Sequence, residues 1–470
     1  MVLPKNQIKW SYINSFTKLI LKPFSFLLIA KFVTPEDYGL ITFALIIISF
    51  IEMIRERSFS ESYIKFYENT MIFRSTLITF SILSGVFLYV ILYVLSPYIV
   101  SFVSFKNNDL LLILQIVSLQ IIIGSVSSIY QAHILKDMNY KLLTIIEFFP
   151  SLIPFFVTIP LAYFGFGVWA LVIGLILSNV FRMVLLILQI TLDVRLEIKL
   201  SVLRKVITFM KYIFLESFLN WFYMWGDKAI LLKFVSLHEL GLYTVATQII
   251  GMAYGLGFSI SKMNYAHLCN LKENIDAIKL YITRYIDLAI LISIVLFFFF
   301  YIFSFMLENI LSEEWAGIST VLILLSITNS LSYSITEIVP DGLKSINKPQ
   351  VIPVLQSVKL LYTIPIFLYS AMYFGFQGFL YGKIVTVLIG TILFYFIGMK
   401  YLELNKLIVM RIIKTHILVL LLSYLIYFIL TTLLCQSYLC SILLIIVYGL
   451  IFFMFKKEFV IKNFNSIRGN

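Results

Sequence analysis

Long apolar windows recur along the chain and are separated by short polar breaks. A helix needs about 20 predominantly apolar residues to cross the hydrocarbon core of a bilayer. The pattern therefore predicts an all-α integral membrane protein with about fourteen spans. These lie at roughly 11–33, 39–57, 75–96, 110–132, 142–163, 168–191, 211–235, 241–263, 283–308, 317–340, 351–373, 378–400, 412–433 and 437–455. A β-barrel is not expected, because the runs are continuous and lack the alternation of membrane strands.

An internal repeat relates the first six spans to the next six. The segment KFVTPEDYGLITFA at 31–44 aligns with KFVSLHELGLYTVA at 233–246, with seven identical positions at an offset of 202. A second match pairs YFGF at 163–166 with YFGF at 373–376. Six spans is an even number, so the halves have the same orientation, as in transporters with a parallel repeat. The predicted organisation is an N-terminal six-helix lobe at 1–191, a cytoplasmic linker at 192–210, a second six-helix lobe at 211–401, and two extra helices with a tail at 402–470.

Each copy of the repeat motif contains a helix-start signature. Thr34 is followed by Pro35 and, three residues on, by Asp37; Ser236 is followed three residues on by Glu239. A hydroxyl cap with an acid three residues later, and proline at the first helical position, are typical of helix N-termini. We therefore expect structural caps for spans 2 and 8, with a role for Glu36 or Asp37 in extracellular gating as the alternative.

Composition agrees with a membrane protein. Hydrophobic residues make up 61% of the chain and charged residues 13%, and the mean hydropathy is +0.99; a soluble chain carries about 25% charged residues. The 36 basic residues exceed the 24 acidic ones. No nucleic-acid partner is expected from this excess, because basic residues also set membrane orientation. The three cysteines show no metal-ligand spacing, so neither a metal nor another cofactor is expected.

The distribution of basic residues predicts the orientation. With the amino terminus taken as cytoplasmic, the loops and termini on that side hold 27 Lys or Arg, and the opposite loops hold only Lys106. This asymmetry indicates that both termini are cytoplasmic.

Polar side chains form one stripe on span 1 and another on span 7. At about 100° per residue, the first stripe comprises Ser11, Asn14, Ser15, Lys18, Lys22 and Ser25. The second comprises Glu216, Ser217, Asn220, Asp227 and Lys228. Several positions match at the repeat offset, which predicts two polar stripes that face each other across one cavity.

The predicted cavity is cationic. A basic residue at the bilayer centre costs about 2.5–3.5 kcal/mol on insertion scales, so such residues face a bundle interior or a wet cavity. The candidate substrate-binding cations are Lys18, Lys22, Arg182, Lys228 and Lys359, with Asn14, Ser25 and Asn220 on the polar stripe. Such a cavity suits an anion, and phosphate pairs well with Lys and Arg. The alternatives are that Lys18 and Lys22 snorkel to the interface, and that Asp227 and Lys228 form structural pairs with other helices.

Energy coupling is expected to use an ion gradient, since the sequence contains no glycine-rich phosphate loop with its lysine. Intramembrane carboxylates are the usual carriers of such coupling. Glu216 and Asp227 are the candidates. Glu216 is the better candidate for a proton carrier, because it has no basic neighbour on its own stripe whereas Asp227 precedes Lys228. The alternative is that Glu216 only bonds to neighbouring helices.

Four motifs resemble a known family. The segment AKFVTPEDYGL at 30–40 resembles a turn of the Wzx-type polysaccharide and O-antigen repeat-unit flippases, in the polysaccharide transporter branch of the MOP/MATE-like superfamily. LKDMNY at 135–140, GFGVWAL at 165–171 and LNWFYMWGDK at 219–228 are similar to later segments of the same family. The resemblance covers about residues 8–400.

The resemblance implies a flippase, not an enzyme. Its substrate would be an undecaprenyl-pyrophosphate-linked oligosaccharide, the repeat unit of O-antigen or a similar surface polysaccharide. The flippase would move this substrate by alternating access from the cytoplasmic to the outer leaflet of the bacterial inner membrane. Polymerase and chain-length proteins of the same pathway would be partners, beside membrane lipid.

Two other functions remain open. An ion-coupled MATE-like exporter would favour an acidic, aromatic cavity. A polysaccharide polymerase or ligase would need a large catalytic external loop, whereas the longest external loop here covers only about 97–109.

Topology is directly testable. Reporter fusions should read cytoplasmic after Lys205, Asn274, Asn347 and Lys462, and external near Asn107 and Glu313, because the basic loops face the cytoplasm. An external signal after Lys205 would contradict the parallel repeat.

Overall fold

The computed structural model describes residues 10, 21, 24–68, 70–103, 107–190, 192, 195–271, 274–333, 335–336 and 338–404. This part of the chain folds into α-helices joined by short turns and contains no β-strand, which confirms the predicted all-α class. A helical segment at 24–30 comes first. The helices that follow are α1 (Pro35–Lys65), α2 (Met71–Ser101), α3 (Leu110–Val117), α4 (Gln120–Lys136), α5 (Tyr140–Phe148), α6 (Ile159–Tyr163), α7 (Val168–Gln189), α8 (Leu200–Leu231), α9 (Leu237–Asn270), α10 (Ile275–Ile310), α11 (Ile318–Tyr333), α12 (Ile338–Ser345) and α13 (Val351–Leu402).

The helices form two compact units. The first contains the described residues within 1–252, 310–317 and 367–379, and the second those within 253–309, 318–366 and 380–470. One core cluster of the first unit joins α1, α2, α4 and α8 through side chains such as Phe59, Phe73, Ala132 and Val206. The core of the second unit joins α10, α12 and α13 through side chains such as Ile282, Val339 and Phe394.

Eight helical stretches of the described chain are long and apolar enough to cross a membrane. The predicted spans from 39–57 to 378–400 lie in helical structure. α8 and α9, which correspond to the predicted spans 211–235 and 241–263, are not among the eight stretches. The first predicted span and the last two lie largely outside the described residues, so the count of fourteen and the division into two six-helix lobes stay predictions.

The helix of predicted span 7 begins earlier than expected. α8 starts at Leu200, so most of the predicted linker at 192–210 is helical. The reason is packing: Val202 and Val206 are buried beside Phe59 and Phe73 in the core of the first unit. The buried apolar face of this first part of the helix stabilises it, although the segment lies outside the apolar window that predicted the span.

Two predicted spans are not regular α-helices. The span at 110–132 is divided between α3 and α4, and the span at 142–163 passes through a 3₁₀ turn at Pro150–Leu152 and a π-helical turn at Pro154–Thr158. Proline has no N–H to donate and clashes with the preceding turn, so the prolines at 150, 154 and 160 account for the second distortion.

The 52-residue helix α13 is two spans joined by a tight turn. At 1.5 Å per residue it would be about 78 Å long, more than twice the hydrocarbon thickness. Its helical geometry breaks at Gly375, where φ is 60°. Gly165, the repeat equivalent of Gly375, has φ of 82°. Both values lie in the left-handed region that favours glycine, so the repeated YFGF motif marks a turn in each half, as the two predicted spans require.

Both helix-start signatures form capping boxes. The Thr34 hydroxyl accepts from the Asp37 N–H at 3.2 Å, and the Asp37 carboxylate accepts from the Thr34 N–H at 3.3 Å. Ser236 and Glu239 exchange the equivalent bonds at 3.2 and 2.8 Å. The predicted structural caps are confirmed.

The two repeat motifs also pack against each other through a reciprocal contact. A Cβ atom on Gly39 of α1 would lie 2.1 Å from the Leu237 carbonyl oxygen. A Cβ atom on Gly241 of α9 would lie 1.8 Å from the Pro35 carbonyl oxygen. The contact is made twice at the repeat offset, and we call it the glycine joint. Only glycine permits helix backbones to approach this closely.

A short turn packs onto both helix starts of the glycine joint. Trp315, in the 3₁₀ turn Glu313–Trp315, is fully buried and donates its Nε1–H to the Val33 carbonyl at 3.2 Å. The Glu314 carbonyl oxygen lies 2.8 Å from His238 Nε2 on α9. The turn therefore ties the chain entering α1 to the start of α9.

Alanine substitutions should destabilise the protein at the two glycines of the glycine joint but not at a helical glycine without close contacts. Gly39→Ala and Gly241→Ala each force α1 and α9 apart, so we expect each to destabilise the protein by about 1–3 kcal/mol, as overpacking does. The matched control is Gly251→Ala on α9, where an added Cβ meets no atom within 4 Å. That variant should be neutral or more stable, since alanine is the better helix former. The measurement is the melting temperature of detergent-purified protein, and equal values for all three variants would contradict the close contact.

Candidate functional site

Charged side chains link α1 to α8 inside the first unit. Arg57 Nη2 lies 2.6 Å from Glu216 Oε1, and Arg57 Nε lies 2.6 Å from Glu61 Oε1. Arg57 thus bridges a carboxylate of its own helix and one from a helix 159 positions away in sequence. Sequence reasoning missed this arginine because it follows the apolar window of span 2 and reads as part of the next loop.

The Arg57 bridge changes the interpretation of Glu216. The sequence shows no basic neighbour for Glu216 on its own stripe of α8. In the structure, Arg57 of α1 is that basic neighbour. The Glu216 side chain is 59% exposed, whereas the adjacent Ser217 is fully buried. The predicted stripe is therefore split between an open and a packed side of α8.

Asp227 is held by an aromatic neighbour that the sequence did not indicate. The buried Tyr243 of α9 donates its hydroxyl to Asp227 Oδ2. Asp227 Oδ1 accepts from the backbone N–H of Lys228 at 2.8 Å. The carboxylate therefore ties the end of α8 to α9, in keeping with the structural alternative considered for it.

Lys228 lies between two aromatic rings. Its Nζ atom is 5.2 Å from the ring centroid of Trp225 and 5.8 Å from that of Tyr243. Cations are attracted to the faces of such rings within about 6 Å. The Lys228 ammonium group therefore lies near two aromatic rings and follows Asp227 directly in sequence.

Arg182 joins a polar network on three helices. From α7 it donates to Gln131 Oε1 on α4, and its Nη2 lies 3.8 Å from Glu147 Oε1 on α5. The exposed fractions of the Arg182 and Glu147 side chains are 27% and 10%. The guanidinium is partly neutralised, and the long distance to Glu147 leaves it able to contact a second anion.

The remaining predicted site residues are placed separately. Ser25 is buried in the helical segment at 24–30, Asn220 is half-buried on α8, and Lys359 is half-buried on α13 in the second unit. Asn14, Lys18 and Lys22 lie outside the described residues. The arrangement of all these residues around one cavity stays a prediction.

Among the described residues, no group of three His, Cys, Asp or Glu side chains could hold a metal ion. The polar chemistry in this part of the chain consists of ion pairs and hydrogen bonds between helices.

Comparison with known proteins identifies the family. A family model described as "Polysaccharide biosynthesis protein" matches residues 28–320. The chain belongs to this family. It is 22% identical over 402 residues to an uncharacterized membrane protein in the cps region of Klebsiella pneumoniae, covering 83% of this chain and 81% of the relative. It is 21% identical over 244 residues to the teichuronic acid biosynthesis protein TuaB of Bacillus subtilis (strain 168), covering 52% of this chain and 50% of TuaB.

Solved structures share the fold. The lipid II flippase MurJ in an inward closed conformation superposes with a TM-score of 0.77 at 16% identity, covering 96% of this chain and all of MurJ. An inward-facing multidrug resistance MATE family transporter of the MOP superfamily superposes with a TM-score of 0.65 at 12% identity, covering 82% and 94% of the two chains. The family match confirms the predicted link to polysaccharide biosynthesis, and the fold is the one shared by MurJ and this MATE family transporter. The protein is thus a multi-pass membrane protein of polysaccharide biosynthesis.

Proposed function

We propose that the protein is a flippase for an undecaprenyl-pyrophosphate-linked oligosaccharide, the repeat unit of O-antigen or a similar surface polysaccharide. It moves this unit from the cytoplasmic to the outer leaflet of the bacterial inner membrane. The observation that carries the proposal is the set of charged side chains on the adjacent helices α1, α7 and α8, of which α1 and α7 are long and apolar enough to cross a membrane. Charges at membrane depth are costly and mark substrate pathways. The names of the relatives, a cps-region protein, a teichuronic acid biosynthesis protein and a lipid II flippase, support the same substrate class.

In this proposal the cations receive the pyrophosphate. Lys18, Lys22, Arg182, Lys228 and Lys359 form the cationic set, and Asn14, Ser25 and Asn220 bind sugar hydroxyls. Arg182 supports this role because its distance of 3.8 Å from Glu147 leaves it able to pair with a phosphate oxygen. The lipid tail stays in the bilayer, so only the polar head needs the helix bundle.

The glycine joint is proposed to act in alternating access. The predicted topology places the starts of α1 and α9 at the external face. Their backbone contact at Gly39 and Gly241 would close that face, and its separation would open the outward path. Helix starts that touch through backbone atoms and short caps can part without breaking an ion pair between them.

Glu216 is the proposed proton carrier. Protonation of its carboxylate would remove one half of the pair with Arg57, which links α1 to α8. A proton taken from one side of the membrane would thereby loosen α8 from the helix that carries Gly39. Asp227 is proposed to serve folding, through its bond to Tyr243.

Transport by purified protein in lipid vesicles tests the coupling. With a labelled lipid-linked sugar as substrate, Glu216→Gln should slow transport and flatten its response to an imposed pH step. Asp227→Asn should chiefly lower the yield of folded protein. Glu61→Gln is the matched control, since it removes the other carboxylate of Arg57 and keeps the link between α1 and α8. If Glu216→Gln responds like wild type to both a pH step and a sodium step, Glu216 is not the coupling residue.

Deletion of the gene tests the proposed function. We expect surface polysaccharide to be lost and single lipid-linked repeat units to accumulate facing the cytoplasm. Complementation by Lys18→Ala/Lys22→Ala should be weaker than by Lys106→Ala at equal protein level, because Lys106 is outside the proposed site. Outward-facing single units would indicate a polymerase. Unchanged polysaccharide with loss of small-molecule export would indicate a MATE-like exporter.

A further inference from the structure

A cavity of ≈ 440 Å³ lies between α1, α2 and α8 in the first unit. This volume is within the range of about 300–1,000 Å³ of small-ligand pockets. Its walls are mainly apolar and come from one face of each helix. They include Arg55 and Phe59 of α1, Phe80 and Leu88 of α2, and Met210 and Phe214 of α8.

Arg55 is the charged member of this lining. Its side chain is buried, with the residue only 4% exposed. Within the described part of the chain, its Nε and Nη1 atoms have no hydrogen-bond partner. Buried N–H groups that form no hydrogen bond are costly, because their hydration is lost and is not replaced. A ligand that brings an anionic oxygen into the cavity would supply the missing partner.

Gly124 of α4 allows Arg55 to lie where it does. A Cβ atom at Gly124 would be 2.6 Å from Arg55 Nη2 and 3.3 Å from Glu52 Oε1. The carboxylates of Glu52 and Glu56 interact electrostatically with the guanidinium and offset part of its charge. These carboxylates repel a bound anion, and they repel the single negative charge of a phosphodiester less than the larger charge of a pyrophosphate.

The depth of Arg55 matches a lipid headgroup. Twenty residues of α1 separate it from Pro35, a distance of about 30 Å, which equals the hydrocarbon thickness of a bilayer. Arg55 thus lies in the C-terminal half of α1, away from the glycine joint and on the side that the predicted topology makes cytoplasmic. From Phe80 to Leu88 the apolar wall on α2 runs about 12 Å along the helix, which suits part of an acyl chain.

We propose that this cavity binds a phospholipid of the adjacent leaflet. Arg55 holds the phosphodiester oxygen, and the apolar side chains of α2 and α8 cover one acyl chain. The residues that line the cavity are not among those assigned to transport, and lipid binding is measured without reference to the proposed flippase activity.

The test uses the full chain purified in detergent and titrated with dioleoyl phosphatidylglycerol. Native mass spectrometry gives the dissociation constant of the first bound lipid. Dioleoylglycerol, which has the same chains and no phosphate, should bind about tenfold more weakly or worse, because a charge-assisted hydrogen bond is lost. Arg55→Gln should weaken phosphatidylglycerol binding by a similar factor. The matched control Arg204→Gln, which removes an exposed arginine of α8, should leave binding unchanged.

Gly124→Ala is the second variant and keeps every charge. Its added methyl group displaces the end of the Arg55 side chain, so phosphatidylglycerol should bind several-fold more weakly even where Arg55→Gln fails to fold. Wild-type binding by Gly124→Ala overturns the proposal. Equal affinity for dioleoylglycerol would mean an apolar pocket that ignores phosphate. If inorganic phosphate alone binds as tightly as the lipid, the cavity is a site for a free anion. Either result also overturns it.

Discussion

Backbone contact between α1 and α9 is the constraint on which the first unit depends. Gly39 lies against the Leu237 carbonyl and Gly241 against the Pro35 carbonyl, so each helix start is fixed by the other. The capping boxes at Thr34 and Ser236 satisfy backbone N–H groups at both starts, which have no partner within their own helix. Trp315 then packs over the entry to α1. Because α8 ends at Leu231, shortly before α9 begins at Leu237, the contact also lies close to the end of α8 that carries Asp227.

The charges of the first unit illustrate a second constraint, which the lipid imposes. Arg57 meets Glu216 from another helix, Arg182 meets Gln131 and Glu147, and Asp227 meets Tyr243. In a low-dielectric medium each unpartnered charge would be costly, so its presence in a membrane-long helix is tolerated when a neighbouring helix supplies a partner. The candidate cations Arg182 and Lys228 therefore already have neighbours in the structure, before any substrate binds. Substrate would have to compete with existing partners, which gives a physical route by which binding could alter helix packing.

Local signals predicted the helices and their starts well. The repeat at 31–44 and 233–246, the caps and the paired YFGF turns are all short-range patterns, and each has a direct structural counterpart. Partners across helices were not predictable in the same way. Helical periodicity shows which face Glu216 occupies, but it contains no information on whether Arg57 approaches that face. Hydropathy windows end where charged residues begin, so they overlooked Arg55 and Arg57. They also started span 7 at residue 211, although the helix begins at Leu200 and Val206 is buried. The interpretation of Lys18 and Lys22 rests on sequence alone.

The glycine joint has a consequence for the evolution of the chain. The atoms that crowd Gly39 and Gly241 are carbonyl oxygens of the backbone, which every amino acid possesses. No replacement at Leu237 or Pro35 can therefore make room for a side chain at the opposite glycine. A genetic screen for second-site suppressors would have to find them elsewhere, in changes that alter how the two helices cross. The two copies of the motif are thus coupled at these positions: a side chain at either glycine requires a change in how both helices pack.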